Sequence, residues 1–193
     1  MKALYRFLVL SLVATLLVSG CLADPEKADP QATTSPYVDQ LSSSIRGLSE
    51  KEIADLSSGA GMGYARPAEL NGYPGPLHVL ELAEELGLSK QQRDEVQAIR
   101  EAMLEAAVPL GKEYLEVYAA FEKRFREGSA DAETVRVFSD RLGEIDGALR
   151  AVHLDAHLTT REVLSEHQRH EYDRLRGYSE GMEHGAHGEG HDH

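Results

Sequence analysis

Two short segments set the frame for this chain: Leu88-Ser89-Lys90-Gln91-Gln92 and Leu164-Ser165-Glu166-His167-Gln168. In each, the Ser oxygen can accept from the backbone N–H three residues on, while the Gln side chain reaches back to the Ser N–H. That is a capping box, a local device for starting a helix. Losing such a cap costs about 1 kcal/mol. Between the copies lie two apolar stripes. Val96, Ile99, Met103, Ala106, Leu110, Tyr114, Val117, Phe121 and Phe125 step by threes and fours, and so do Phe138, Leu142, Ile145, Leu149, Val152 and Ala156. Gly128-Ser129-Ala130-Asp131 joins them. The expected fold is all-α: an antiparallel hairpin of two long helices, about 90–127 and 132–162, flanked by short helices at about 77–86 and from Ser165 to near Arg176. Two short helices would then flank two long ones, a four-helix arrangement with disordered termini expected. Pro109 falls inside the first long helix and should kink it, at a cost of about 3 kcal/mol unless packing compensates.

The flanks divide naturally. Met1 to Arg6 is basic, Phe7 to Val18 is an apolar run too short to span a bilayer comfortably, and Val18-Ser19-Gly20 leads into Cys21, the single cysteine. This resembles a bacterial lipoprotein signal, which implies cleavage after residue 20 and lipid on Cys21. Acyl chains would then hold the protein to a membrane. Leu22 in place of Asp favours the outer membrane, facing the periplasm. Residues 21–47 carry Pro25, Pro30 and Pro36 without an apolar period and read as a flexible tether. Residues 48–75 form a short helical arm. Ser49 opens a helix through about Leu56, residues 62–70 hold another turn, and Asn71-Gly72-Tyr73-Pro74-Gly75-Pro76 is a firm break. Residues 76–178 make up the hairpin domain, and residues 179–193 are a His-rich tail.

Charge excludes one class of partner. With 20 Lys+Arg against 33 Asp+Glu, the net charge is −13. Phosphate neutralisation needs clustered cations, so nucleic acid is not expected. Cations and unfolded client polypeptides suit the surface better. Gly59-Ala60-Gly61-Met62-Gly63 lacks the following Lys-Ser/Thr of a phosphate loop. No Ser/His/Asp or Cys/His arrangement is present, and an enzyme is not expected.

The residues with coordination chemistry are histidines. His153 and His157, spaced i,i+4 on one helix, point the same way. With the hairpin turn centred near residue 129, Glu101 falls at the level of His157, and folding the first helix back brings His78 to the same height. His78, Glu101, His153 and His157 would suit Zn²⁺, Cu²⁺, Ni²⁺ or Co²⁺. At 100° per residue, however, Glu101 points away from the Ile99/Met103 stripe and borders a second one, Leu104, Val108 and Leu115. It reaches the site only if that face meets the first helix, the tail or a second subunit, or if Pro109 reorients it. The tail supplies a second candidate set, His184, His187, His191 and His193, interleaved with Gly, Glu and Asp.

The two L-S-x-x-Q segments resemble the signature of the periplasmic LTxxQ family, which includes CpxP- and Spy-type chaperone-like stress proteins and CnrX/ZraP-type heavy-metal sensors. The resemblance covers about Leu77 to Tyr178, with Ser for the usual Thr. It implies a hooked hairpin that commonly dimerises, and either a membrane-bound regulator or unfolded clients as partners. In the nickel-sensing branch metal is held by His on the first helix, Glu on the second and a His-x₃-Met pair on the third. The matching positions here are His78, Glu101, and His153 with His157. Leu82 stands where that branch has a second His on the first helix, and His157 stands for the Met.

Overall fold

The computed structural model describes residues 35–179. Cys21 and the tail histidines His184, His187, His191 and His193 lie outside the described residues. Every regular element described is helical: a 3-10 turn at Val38–Ser42, then α1 (Glu50–Ser58), α2 (Arg66–Glu69), α3 (Pro76–Glu81), α4 (Lys90–Arg126), α5 (Ala132–Val163) and α6 (Glu166–Leu175). The two long helices, α4 and α5, pack against each other along the hairpin.

The helix starts follow from local chemistry. Ser89 N–H donates to Gln92 Oε1 at 3.1 Å, and Gln92 N–H returns a bond to Ser89 Oγ at 3.1 Å. The second copy repeats this at 2.9 and 3.3 Å. Ser49 forms a third box with Glu52. Asp131 caps α5 by accepting from Thr134 N–H at 2.7 Å, and that bonding holds its carboxyl below the usual range.

Two clusters make the core. At the hooked end, Val79, Ala83, Leu86, Leu88, Val96, Leu164 and Tyr172 pack together. Both motif leucines, Leu88 and Leu164, are in it, which explains why each cap carries one. Midway along the hairpin, Leu56 from α1 packs with Ala107, Ile145 and Leu149. Removing a buried side chain such as Leu149 costs about 2–5 kcal/mol.

Two expectations are corrected. The helix expected over 77–86 stops at Glu81 and continues as turns to Gly87. Pro76 and Val79 are its buried residues, and Leu77 is exposed. On α4, Ala106 is exposed while Ala107 and Gly111 are buried, because the arm covers the side of the second stripe, where Gly59 meets Leu104, Ala107 and Val108. A Cβ on Gly111 would lie 2.0 Å from the Leu56 carbonyl oxygen, and one on Gly59 would lie 3.1–3.3 Å from Val108, Ala107 and Leu104. Gly59 also closes α1 in the left-handed region (φ 70°), which suits glycine. Pro109 lies inside α4, which spans it without interruption. That residue is exposed.

Candidate metal centre

α5 presents His153 and His157 one turn apart on the face covered by the arm. His153 is 3% exposed, and its Nε2 has no hydrogen-bond partner. Its ring stacks on Tyr64, with centroids 5.8 Å apart and planes at 21°. Tyr64 is itself fixed. Its hydroxyl donates to Asp146 Oδ1 at 2.9 Å, and the Arg150 guanidinium lies over its ring. Burial, then the neighbouring His157, lowers the pKa of His153. An apolar surround disfavours the imidazolium, so the neutral, ligand-competent ring is favoured.

His157 is mostly covered, and its Nδ1 sits 2.7 Å from the Tyr73 carbonyl oxygen. A carbonyl can only accept, so Nδ1 carries the proton and the lone pair is on Nε2. A Cβ built on Gly75 would come within 2.8 Å of both Nε2 and Cε1 of His157. The missing side chain thus leaves room against the lone-pair edge of the ring. His78, on α3, is partly exposed, and its Nδ1 meets Glu81 Oε2 at 2.9 Å. By the same reasoning its lone pair is on Nε2.

These three rings line one cavity of about 370 Å³ with Gly61, Gly75 and Met103. A neighbouring space of about 440 Å³ shares His78 and His157 and adds Glu69, Arg176 and Tyr178. Among the described residues no group of three or more His, Cys, Asp or Glu side chains stands at ready-made metal spacing. The histidines share a cavity without forming a closed tripod.

Glu101 does not join them. It is exposed and accepts from Gln97 Nε2 at 2.7 Å. Its neighbour Arg100 lines the cavity instead, as the 100° step between adjacent helical residues requires.

Glu69 was not legible in the sequence. It sits on the four-residue α2, its side chain only 13% exposed. Oε2 lies 3.6 Å from His157 Nδ1 and accepts from Gly75 N–H at 3.2 Å. Oε1 accepts from the hydroxyls of Tyr172 and, at 3.2 Å, Tyr178, with Arg176 Nε at 3.6 Å. Burial and this carboxylate push the Tyr172 hydroxyl pKa far up. So short a helix has no periodicity, and its partners are about a hundred residues away.

At the hooked end the two capping boxes meet. Gln92 Nε2 donates to Gln168 Oε1 at 2.8 Å, and Gln168 Nε2 donates to Gln92 Oε1 at 3.1 Å. The spare N–H groups go to the carbonyls of Val163 at 3.0 Å and Leu86 at 3.3 Å. The repeated Ser and Gln are thus one connected unit that fixes where α3 and α6 turn back on the long helices. No curated protein and no solved structure gives a significant match. The model of the LTXXQ motif family protein matches residues 77–176, a span that includes both caps and just over half of the chain. That family takes in CpxP/Spy and ZraP-like periplasmic proteins of envelope-stress or metal-resistance type. With both Ser-x-x-Gln copies inside the matched span and joined through their glutamines, the chain belongs to the LTXXQ motif family.

Proposed function

We propose that this is a lipid-anchored periplasmic protein, held at the outer membrane through Cys21, that binds a divalent transition metal for metal sensing or resistance. The ion, Zn²⁺, Cu²⁺, Ni²⁺ or Co²⁺, would be held by His78, His153 and His157, with His184, His187, His191 and His193 as a second, tail set. The chemistry is reversible coordination, not catalysis. The observation that carries the reading is the bare Nε2 of His153, a polar atom buried without a partner beside a second imidazole. Leaving such a group unsatisfied costs about 1–3 kcal/mol. The donor chemistry fits: imidazoles suit these metals, Nδ1 of His78 and of His157 is already committed to an oxygen, and Gly75 leaves open the space that a Cβ would fill. Ligands drawn from α3 and α5 make coordination depend on how those helices pack. Metal could then bias a conformational or dimer equilibrium read by a membrane-bound regulator.

Titration calorimetry tests this on the full chain with the four tail histidines replaced by Asn. Binding of at least one of the four metals is expected, and its loss in His153→Ala/His157→Ala. Absence of binding by the parent would remove the hairpin site.

The family also supports a chaperone reading, in which the second apolar stripe of α4 would take unfolded clients. Against it, the arm covers Leu104 and Val108 through Gly59. Client binding there requires the arm to leave.

A further inference from the structure

We infer that Glu69, an arm residue outside the family-matched segment, is the positioning carboxylate of His157: together with the Tyr73 carbonyl it holds that ring with its Nε2 lone pair turned to the cavity. The inference rests on the metal reading above and deepens it. Glu101 was the carboxylate expected from the sequence, yet it is exposed and bonded to Gln97. Glu69 is the carboxylate that faces His157, as Glu81 faces His78.

The geometry has three parts. First, Glu69 Oε2 and the Tyr73 carbonyl both lie on the Nδ1 side of His157, at 3.6 and 2.7 Å. Two acceptors on that side favour the Nδ1–H tautomer and leave Nε2 as the donor atom. Metal-binding histidines commonly show such support from a carboxylate or carbonyl, and losing it weakens binding roughly ten- to a hundredfold. Second, the carboxylate is mostly covered and held from four directions, by Gly75 N–H, Tyr172, Tyr178 and Arg176. A negative charge fixed in a poorly solvated position behind the ring favours a cation on its far side. Third, Gly75 serves both roles. Its N–H donates to Glu69, and its missing Cβ leaves space against the His157 Nε2 edge. One backbone residue thus keeps the carboxylate behind the ring and the opening in front of it.

The same contacts tie the site to the C-terminal helix. Tyr172 lies on α6, and Tyr178 follows it just before the tail. Through Glu69, occupancy at His157 is linked to the packing of α6.

The test uses the full chain with the four tail histidines replaced by Asn. Zn²⁺ affinity is measured by calorimetry for this parent and for its Glu69→Gln and Glu101→Gln variants. Glu69→Gln is expected to weaken Zn²⁺ roughly ten- to a hundredfold, and Glu101→Gln to leave it unchanged. Ring-nitrogen NMR shifts of His157 in the metal-free proteins add a readout that a purely structural role would not move. The parent should show the Nδ1–H form, and Glu69→Gln, which leaves the Tyr73 carbonyl in place, should keep that form while moving the Nδ1 shift. Unchanged affinity or an unchanged Nδ1 shift overturns the inference while the metal reading stands. A parent that binds none of Zn²⁺, Cu²⁺, Ni²⁺ or Co²⁺ removes both. Should Glu69→Gln fail to fold, the parent alone decides. A Glu69 carboxyl-carbon resonance that shifts with the His157 ring on Zn²⁺ addition supports the coupling, and one that stays fixed while the ring shifts overturns it.

Discussion

Gln92 and Gln168 each donate a side-chain N–H to the other's side-chain oxygen, at 2.8 and 3.1 Å. Each oxygen also accepts from its own cap Ser N–H, and each nitrogen also serves a backbone carbonyl. Both amides use all four of their bonding sites. A repeated sequence motif is therefore repeated because its copies bond to each other.

Gln168→Glu should destabilise the fold by about 1–3 kcal/mol near neutral pH. The carboxylate cannot donate to the Leu86 carbonyl, and it faces Gln92 Oε1. The double variant Gln92→Glu/Gln168→Glu sets two carboxylates against each other and should lose more than the sum of the single losses. Urea unfolding followed by helical circular dichroism measures both. Additive losses would mean that the pair is not coupled.

Gly75→Ala separates site from fold. The backbone there is extended (φ −83°, ψ 145°) and accommodates Ala. The added Cβ, however, would stand 2.8 Å from His157 Nε2. Metal affinity should fall by more than about tenfold, as for loss of a supporting group, with helical content retained. Calorimetry beside circular dichroism gives both values, and undiminished affinity would place the ion elsewhere.

Gly111→Ala should destabilise, against the usual rule. In an exposed helix this change gains about 1 kcal/mol. Here the new Cβ would fall 2.0 Å from a backbone oxygen, that of Leu56, so the arm must shift. A net loss of about 1–3 kcal/mol is expected, with faster hydrogen exchange over residues 50–58. Stabilisation would show that the arm is not seated on α4.

Stability of the metal-free protein should decline as pH falls below about 6.5, the ordinary histidine value. Folded His153 has a lowered pKa, so between that value and 6.5 the unfolded chain takes up a proton that the folded one resists. The contribution is complete above 6.5 and is lost as pH falls through the folded pKa. Asp173 acts with the opposite sign, because burial raises its pKa, but from a carboxylate's lower range. Melting temperatures recorded with chelator from about pH 7.5 to 5.5 should therefore follow His153. His153→Phe, which keeps a ring on Tyr64, should flatten the profile. An equally steep profile in the variant would assign the effect to other groups.

Local chemistry determined the helix starts. Ser49, Ser89, Asp131 and Ser165 each satisfy an N–H within three residues of themselves, so those boundaries are readable from sequence. The stripes of α4 and α5 are likewise properties of single helices, and with the Gly128–Asp131 turn they make a hairpin the natural reading. Other features were decided by residues far apart in the chain. Ala107 rather than Ala106 is buried because α1 returns over α4. Glu101 is solvent-facing while Glu69, from a four-residue helix without a period, faces His157 across 88 positions of chain. Gln92 and Gln168 bond across 76 positions. A capping box is a contact between near neighbours, with little chain entropy at stake. A carboxylate behind an imidazole exists only once the arm, α5 and α6 are packed, and no local pattern records that placement.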